Sequence, residues 1–192
     1  MSNEGGAAAP APVLWMEDEP ERLARDQREV ASFAPDLEYL PPRANPLMPH
    51  GGWTGRLPLW PFERSEPHGA RALLDGEGMT IALVYSAAHP MVPPTIFPIT
   101  PEPTIDECTQ NAWHVAPIGS LCLLQTQGDW APEASITELL EKAAGWRIEY
   151  ALMKAGALDK MTTSGIALDD TLDTLITEVG QQQLSPDDES TG

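Results

Sequence analysis

Basic residues are scarce in this chain. Eleven lysines and arginines stand against twenty-nine aspartates and glutamates, a formal net charge of −18. Such an acidic excess repels phosphate backbones and anionic headgroups, which argues against nucleic acid or a membrane surface as a primary partner. Cysteine is sparser still, with only Cys108 and Cys122. Two thiols are too few for a disulfide scaffold, and free thiols fit a reducing, intracellular setting. No apolar run is long enough to cross a bilayer as a helix. Residues 1–12 lack the basic and apolar regions of a signal peptide, so the expectation is a cytoplasmic protein. A glycine-rich phosphate loop is missing too, which argues against adenylation by this chain. His50, His68, His89 and His114 fall in no metal-ligand spacing with either cysteine, so neither a metal nor another cofactor is expected.

What is present suffices for one domain with a hydrophobic core. Residues 1–16 are small, Pro- and Ala-rich, and residues 183–192 are polar and acidic. Both read as disordered tails around a domain over 17–182. A helix is predicted to start near Pro20, with Glu17, Asp18 and Glu19 suited to its positive end. Leu23, Val30 and Phe33 give it a sparse apolar stripe, while Arg22, Arg25 and Arg28 recur on another face. The middle reads as an antiparallel meander with strands at 53–59, 70–74, 79–85 and 95–99, and a tight turn at 75–78. Prolines 90, 93, 94, 98, 101 and 103 then interrupt regular structure, predicting a long loop to Cys122. Ser135 and Glu138 form a capping-box pattern for a helix reaching about Lys154, with Gly156 as its stop. Ile136, Leu139, Leu140, Ala143, Trp146 and Tyr150 are expected to face the sheet. A further helix is predicted over 170–181, with Leu172, Leu175, Ile176 and Val179 on one side.

The stretch around Cys122 is the most informative. Gly119 precedes it by three residues, apolar residues flank it, and Trp130 and Pro132 follow. Pro117 and Gly119 bend the backbone there and leave the cysteine partly uncovered. Three ordered segments carry a resemblance. His89-Pro90-Met-Val-Pro93-Pro94-Thr-Ile-Phe97 comes first, Gly119-Ser-Leu-Cys122-Leu second, and Trp130-Ala-Pro132 with Ser135-Ile-Thr-Glu-Leu-Leu140 third. Together they resemble the ubiquitin-conjugating (E2) enzymes, above all the bacterial members encoded beside activating enzymes in antiphage operons. The resemblance spans roughly 53–156. His89 replaces an aromatic residue of the family pattern. The family's His-Pro-Asn before the cysteine is here His114-Val-Ala116, so its asparagine is missing. Asn111 precedes the histidine and does not take over that role.

The resemblance implies an α+β fold: an N-terminal helix, a four-stranded antiparallel meander, a cysteine-bearing loop and C-terminal helices. It implies that Cys122 carries a ubiquitin-like protein as a thioester, received from an activating (E1-like) enzyme and passed to a target amine. The thiol of an unperturbed cysteine titrates near about 8.5, close enough to neutrality for exchange. The acceptor is the harder problem, because a lysine near about 10.4 must lose a proton while an oxyanion forms. His114 is the nearest candidate for proton transfer, or for a structural hydrogen bond to the loop. Backbone amides at Gly119 and Ser120 are candidates for holding charge. Trp130 and Pro132 are expected to be packing residues that shape the site, and Cys108 an incidental thiol. Arg22, Arg25 and Arg28 either form ordinary helix-surface pairs such as Glu21–Arg25 and Arg25–Glu29, or dock the activating enzyme. The alternative from another class is a non-catalytic adaptor of the same fold, binding a ubiquitin-like protein or the activating enzyme. A cysteine peptidase is the weakest reading, since no base and orienting carboxylate emerge from the spacing.

Overall fold

The computed structural model describes residues 14–163, 165–167 and 169–184. The chain is an α+β protein built on a four-stranded antiparallel sheet. The first helical pieces are α1, Trp15–Asp18, and α2, Pro20–Phe33. Pro20 opens α2 at its first position, where a missing N–H costs nothing. The strands follow as β1 (Leu37–Leu40), β2 (Gly52–Arg56), β3 (Thr80–Val84) and β4 (Thr95–Thr100), paired in simple chain order. A short helix α3, Ala70–Leu73, lies between β2 and β3, and α4, Ile105–Cys108, follows β4. The long helix α5, Ile136–Lys154, and the terminal α6, Asp173–Leu184, complete the chain.

Two expectations are corrected. Residues 70–74 are not a strand: Ala-Arg-Ala-Leu is a run of strong helix formers, and it turns once as α3. There it packs against α6, where a side chain at Gly180 would fall on the backbone of Gly69. The missing strand is β1, whose Leu-Glu-Tyr-Leu is short and hemmed by Pro35 and Pro41. The 75–78 turn therefore joins a helix to β3, with Asp75 and Gly76 both at positive φ. The N-terminal tail was expected to reach residue 16, yet Trp15 and Met16 are buried. Its first thirteen residues, and residues 185–192 of the expected C-terminal tail, lie outside the described residues.

Other expectations hold. The Ser135 hydroxyl accepts the Thr137 amide at 3.2 Å, and Glu138 completes the capping box. At the far end Gly156 adopts φ 72°. Its N–H reaches the Met153 carbonyl and that of Ala157 reaches Leu152, both at 2.9 Å, which is the paired closure that a left-handed glycine permits. Thirteen of the nineteen residues of α5 are buried, so it is an enclosed helix and not a one-sided amphipathic one. Its Leu140, Ile148 and Leu152 share one core with Ile81 and Leu83 of β3, Ile96 of β4 and Val30 of α2.

A buried polar relay ties α2 to the sheet. Trp53 Nε1 donates to the Tyr85 hydroxyl at 3.0 Å, and that hydroxyl donates to Asp26 Oδ2 at 3.0 Å. Asp26 is fully enclosed, and burial pushes its carboxyl above the usual range against the opposing pull of Tyr85 and Arg25. Replacing Tyr85 with Phe strips Asp26 of this donor and leaves the Trp53 N–H unpaired. The expected loss is about 1–3 kcal/mol of unfolding free energy, read from urea denaturation at neutral pH. A change within the error of the fit would show that the relay contributes nothing net.

Candidate functional site

The segment before Cys122 is irregular, so its backbone groups must find partners outside any ladder. It begins as a 3₁₀ turn, Asn111–Trp113, closed by His114 at φ 48° and ψ 42°. Three successive carbonyls then meet three different donors. Met161 N–H reaches Ala112 at 3.0 Å, Trp146 Nε1 reaches Trp113 at 2.8 Å, and Cys122 N–H reaches His114 at 2.8 Å. Val115 and Leu121 face each other in a single antiparallel bridge. Between them Ala116 N–H bonds Ser120 and Gly119 N–H bonds Ala116, each at 2.8 Å. This tight reversal needs φ 85° at Gly119, which a side chain strongly disfavours. Leu121 N–H finally reaches the Ile96 carbonyl at 2.9 Å, fastening the loop to the outer side of β4.

Cys122 is held out of this hairpin with its residue surface exposed, while Val115 and Leu121 on either side turn inward. Enough protein still surrounds the sulfur that burial pushes the thiol above its ordinary value. Among the described residues no side chain hydrogen-bonds Sγ. Burial thus favours the protonated thiol, and no hydrogen bond among the described residues opposes it.

The structure joins Cys122 and His114, but through the main chain. It is the His114 carbonyl that Cys122 meets, and the imidazole makes no hydrogen bond among the described residues. One expectation needs correcting: the Gly119 amide is spent on Ala116 and is not available to hold developing charge. Asn111 is the first residue of the same turn, and its carbonyl accepts the His114 amide at 3.3 Å.

The other two sequence segments converge here. Trp130 is buried and its Nε1 donates to the Pro90 carbonyl at 2.8 Å. The His89 ring lies 6.4 Å from that of Trp130, 4.5 Å from Trp15 and 4.7 Å from Tyr85. After the cysteine, the exposed Asp129 carboxylate gathers the amides of Gln125 (2.9 Å) and Thr126 (2.7 Å), closing the loop onto Trp130. The hydrogen bond from Thr126 holds that carboxyl below the usual range.

The arginine face of α2 turns out to be part of this assembly. Arg22 donates to the Pro132 carbonyl at 2.5 Å, and Arg25 to those of Glu133 and Ala134 at 2.9 and 3.0 Å. Ser135 Oγ bonds Glu29 at 2.6 Å. The Arg25–Glu29 pair forms at 3.8 Å, whereas Glu21 is not an ion-pair partner of Arg25. Arg28 alone of the three is exposed. Local pattern gives no sign of this clamp, nor of Met161, Trp146 and Glu149 as supports of the loop, because each contact joins positions far apart in the chain.

No protein-family model, curated protein or solved structure matches this chain.

His89 generates a test of the cluster. The residue is 4 % exposed, and neither ring nitrogen has a hydrogen-bond partner among the described residues. Burial, with the Arg22 charge adding to it, lowers its pKa to about 4. The unfolded chain takes up this proton near about 6.5, so the stabilising difference is complete above that pH and is lost as pH falls toward 4. The residue alone should cost roughly 3 kcal/mol over that window. Urea unfolding of wild type and His89→Phe between pH 7.5 and 4.5 checks this, with the variant showing the flatter dependence. Parallel curves would mean the ring is not the titrating group.

Proposed function

We propose that this chain is a ubiquitin-conjugating (E2-like) carrier, with Cys122 as the acyl-bearing residue. The observation that carries the reading is spatial. Three segments separated in sequence are joined to one another: the Trp130 indole bonds the Pro90 carbonyl, and Leu121, beside the exposed Cys122, bonds the carbonyl of Ile96 in the same segment as Pro90. The element order of helix, four-stranded meander, cysteine loop and long helix supports it further. So does the chemistry of the thiol. A carrier exchanges an acyl group between sulfurs and needs an accessible nucleophile of ordinary reactivity, whereas a peptidase needs a hydrogen-bonded base beside it.

In this reading the Cys122 thiol loses its proton and the sulfur attacks the thioester carbonyl carbon on the activating enzyme. The tetrahedral adduct collapses, expelling that enzyme's thiolate, which takes up a proton. The ubiquitin-like protein is then linked to Cys122. In the second step a neutral amine of the target attacks the same carbon, its nitrogen gives up a proton as the amide forms, and Cys122 leaves as thiolate and takes up a proton. His114 is the proposed site histidine; its main-chain bond to Cys122 favours a role in loop geometry. The face of α2 remains the proposed dock for the activating enzyme, through Arg28, because Arg22 and Arg25 donate inward. The setting is a cytoplasmic bacterial antiphage system.

A second reading has its own support. The raised thiol and the absence of a hydrogen-bonded base among the described residues also suit an adaptor of the same fold that binds without transferring. Intact mass spectrometry of Cys122→Ser, co-expressed with the neighbouring genes of its operon, separates the two. An oxyester to serine outlives the thioester, so a mass increase matching a ubiquitin-like protein is expected with serine and not with Cys122→Ala. No adduct, with the activating enzyme shown to be charged, would establish the adaptor.

A further inference from the structure

Glu149 is a carboxylate in an odd place. It lies on α5 among buried apolar residues and is 2 % exposed. Enclosing a carboxylate is costly unless it is fully bonded, and an aliphatic residue would fill the position without that cost. What it holds is the chain just after α5. Thr162 donates to it twice, from the amide at 2.5 Å and from the hydroxyl at 2.8 Å, and the hydroxyl in turn accepts the Gly165 amide at 3.1 Å.

The residues next to Thr162 are the ones that touch the cysteine loop. Met161 is buried and gives its N–H to Ala112, while the Thr163 carbonyl accepts Gln125 Nε2 at 2.8 Å. Met161, Thr162 and Thr163 thus form a strap bound on one side to Glu149 and on the other to both arms of the loop, before and after Cys122. Burial pushes the Glu149 carboxyl above the usual range, against the opposing pull of its two hydrogen bonds from Thr162.

We propose that Glu149 is a positioning residue for the Cys122 site: by gripping Thr162 it fixes the strap that holds Ala112 and Gln125, and so sets the backbone from which His114 and Cys122 project. The functional meaning of that position rests on the carrier reading; the mechanical link does not.

The test uses the full chain in a Cys108→Ser background, so that Cys122 is the only thiol. Amide hydrogen exchange at Met161 and Cys122 and the rate of Cys122 alkylation by iodoacetamide are compared for wild type, Glu149→Leu and Glu149→Gln. Glu149→Leu should speed exchange at both amides by roughly tenfold or more and change the alkylation rate several-fold. Glu149→Gln, which keeps an acceptor for the Thr162 amide, should restore both to near wild type. Val30→Ala, a core truncation on α2, serves as the control for general loosening. Unchanged exchange and alkylation in Glu149→Leu, or equal changes in Val30→Ala, would overturn the assignment. Should Glu149→Leu not fold, Thr162→Val carries the same comparison by removing only the strap hydroxyl. None of these readouts requires an activating enzyme, so a missing thioester adduct would sink the carrier reading while leaving this link standing or falling by itself.

Discussion

Main-chain polar groups that are taken out of water must be paired, and between β4 and α5 this chain has no ladder to pair them. The rest of the architecture can be understood as supplying donors to that stretch. The indole of Trp146 comes from the central helix, the Met161 amide from the strap behind it, and the Cys122 amide from the loop's own return. Further along, where the chain approaches α5, the guanidinium groups of Arg22 and Arg25 perform the same service for the carbonyls of residues 132–134. A loop satisfied in this way is irregular without being loose, which is what a site built on loop residues needs.

Aromatic residues do the corresponding work on the apolar side. Trp15, the neighbours Tyr85 and His89, and Trp130 come from three separate parts of the chain, and their rings pack together at tilted and edge-on angles. Through Tyr85 this cluster is continuous with the Asp26 relay, and through Trp130 with the segment that follows the cysteine. The helix α2, the sheet and the cysteine loop therefore share one set of contacts. A second aromatic group, Trp113, Trp146 and Tyr150, flanks the other end of the loop. There Lys154 and Tyr150 both bond the Glu107 carboxylate, at 2.8 and 3.0 Å.

How much of this was legible from sequence depended on the range of the signal. The start of α2 at Pro20, the Ser135 capping box and the Gly156 stop are written in neighbouring residues, and all three are found where pattern placed them. The run 79–85, rich in β-branched and apolar residues, is equally plain as a strand, and β3 is found over Thr80–Val84. β1 escapes sequence pattern because four residues between prolines carry too little periodicity, and α3 reads as a strand because the residues 70–74 are too few to show a helical period, although their helix propensity points the other way. At the site, the exposure of Cys122 and the packing role of Trp130 followed from local composition. The strap, the arginine clamp and the enclosed Glu149 did not, since hydrogen bonds between distant positions leave no local trace. His89 shows a middle case: its place in the motif was readable, but its unpaired, enclosed ring emerged only from the packing around it.

The bond from the Leu121 amide to the Ile96 carbonyl has a consequence beyond the cysteine. β4 is the last strand of the sheet, so its outer side is a row of backbone groups open to pairing with any passing strand. Pro98 removes one donor from that row, and the loop occupies the Ile96 position. The hairpin that presents the thiol is thus also the guard of the sheet's edge. Whatever displaces it uncovers a templating surface, so holding this loop in place protects the sheet from edge-to-edge pairing with other chains.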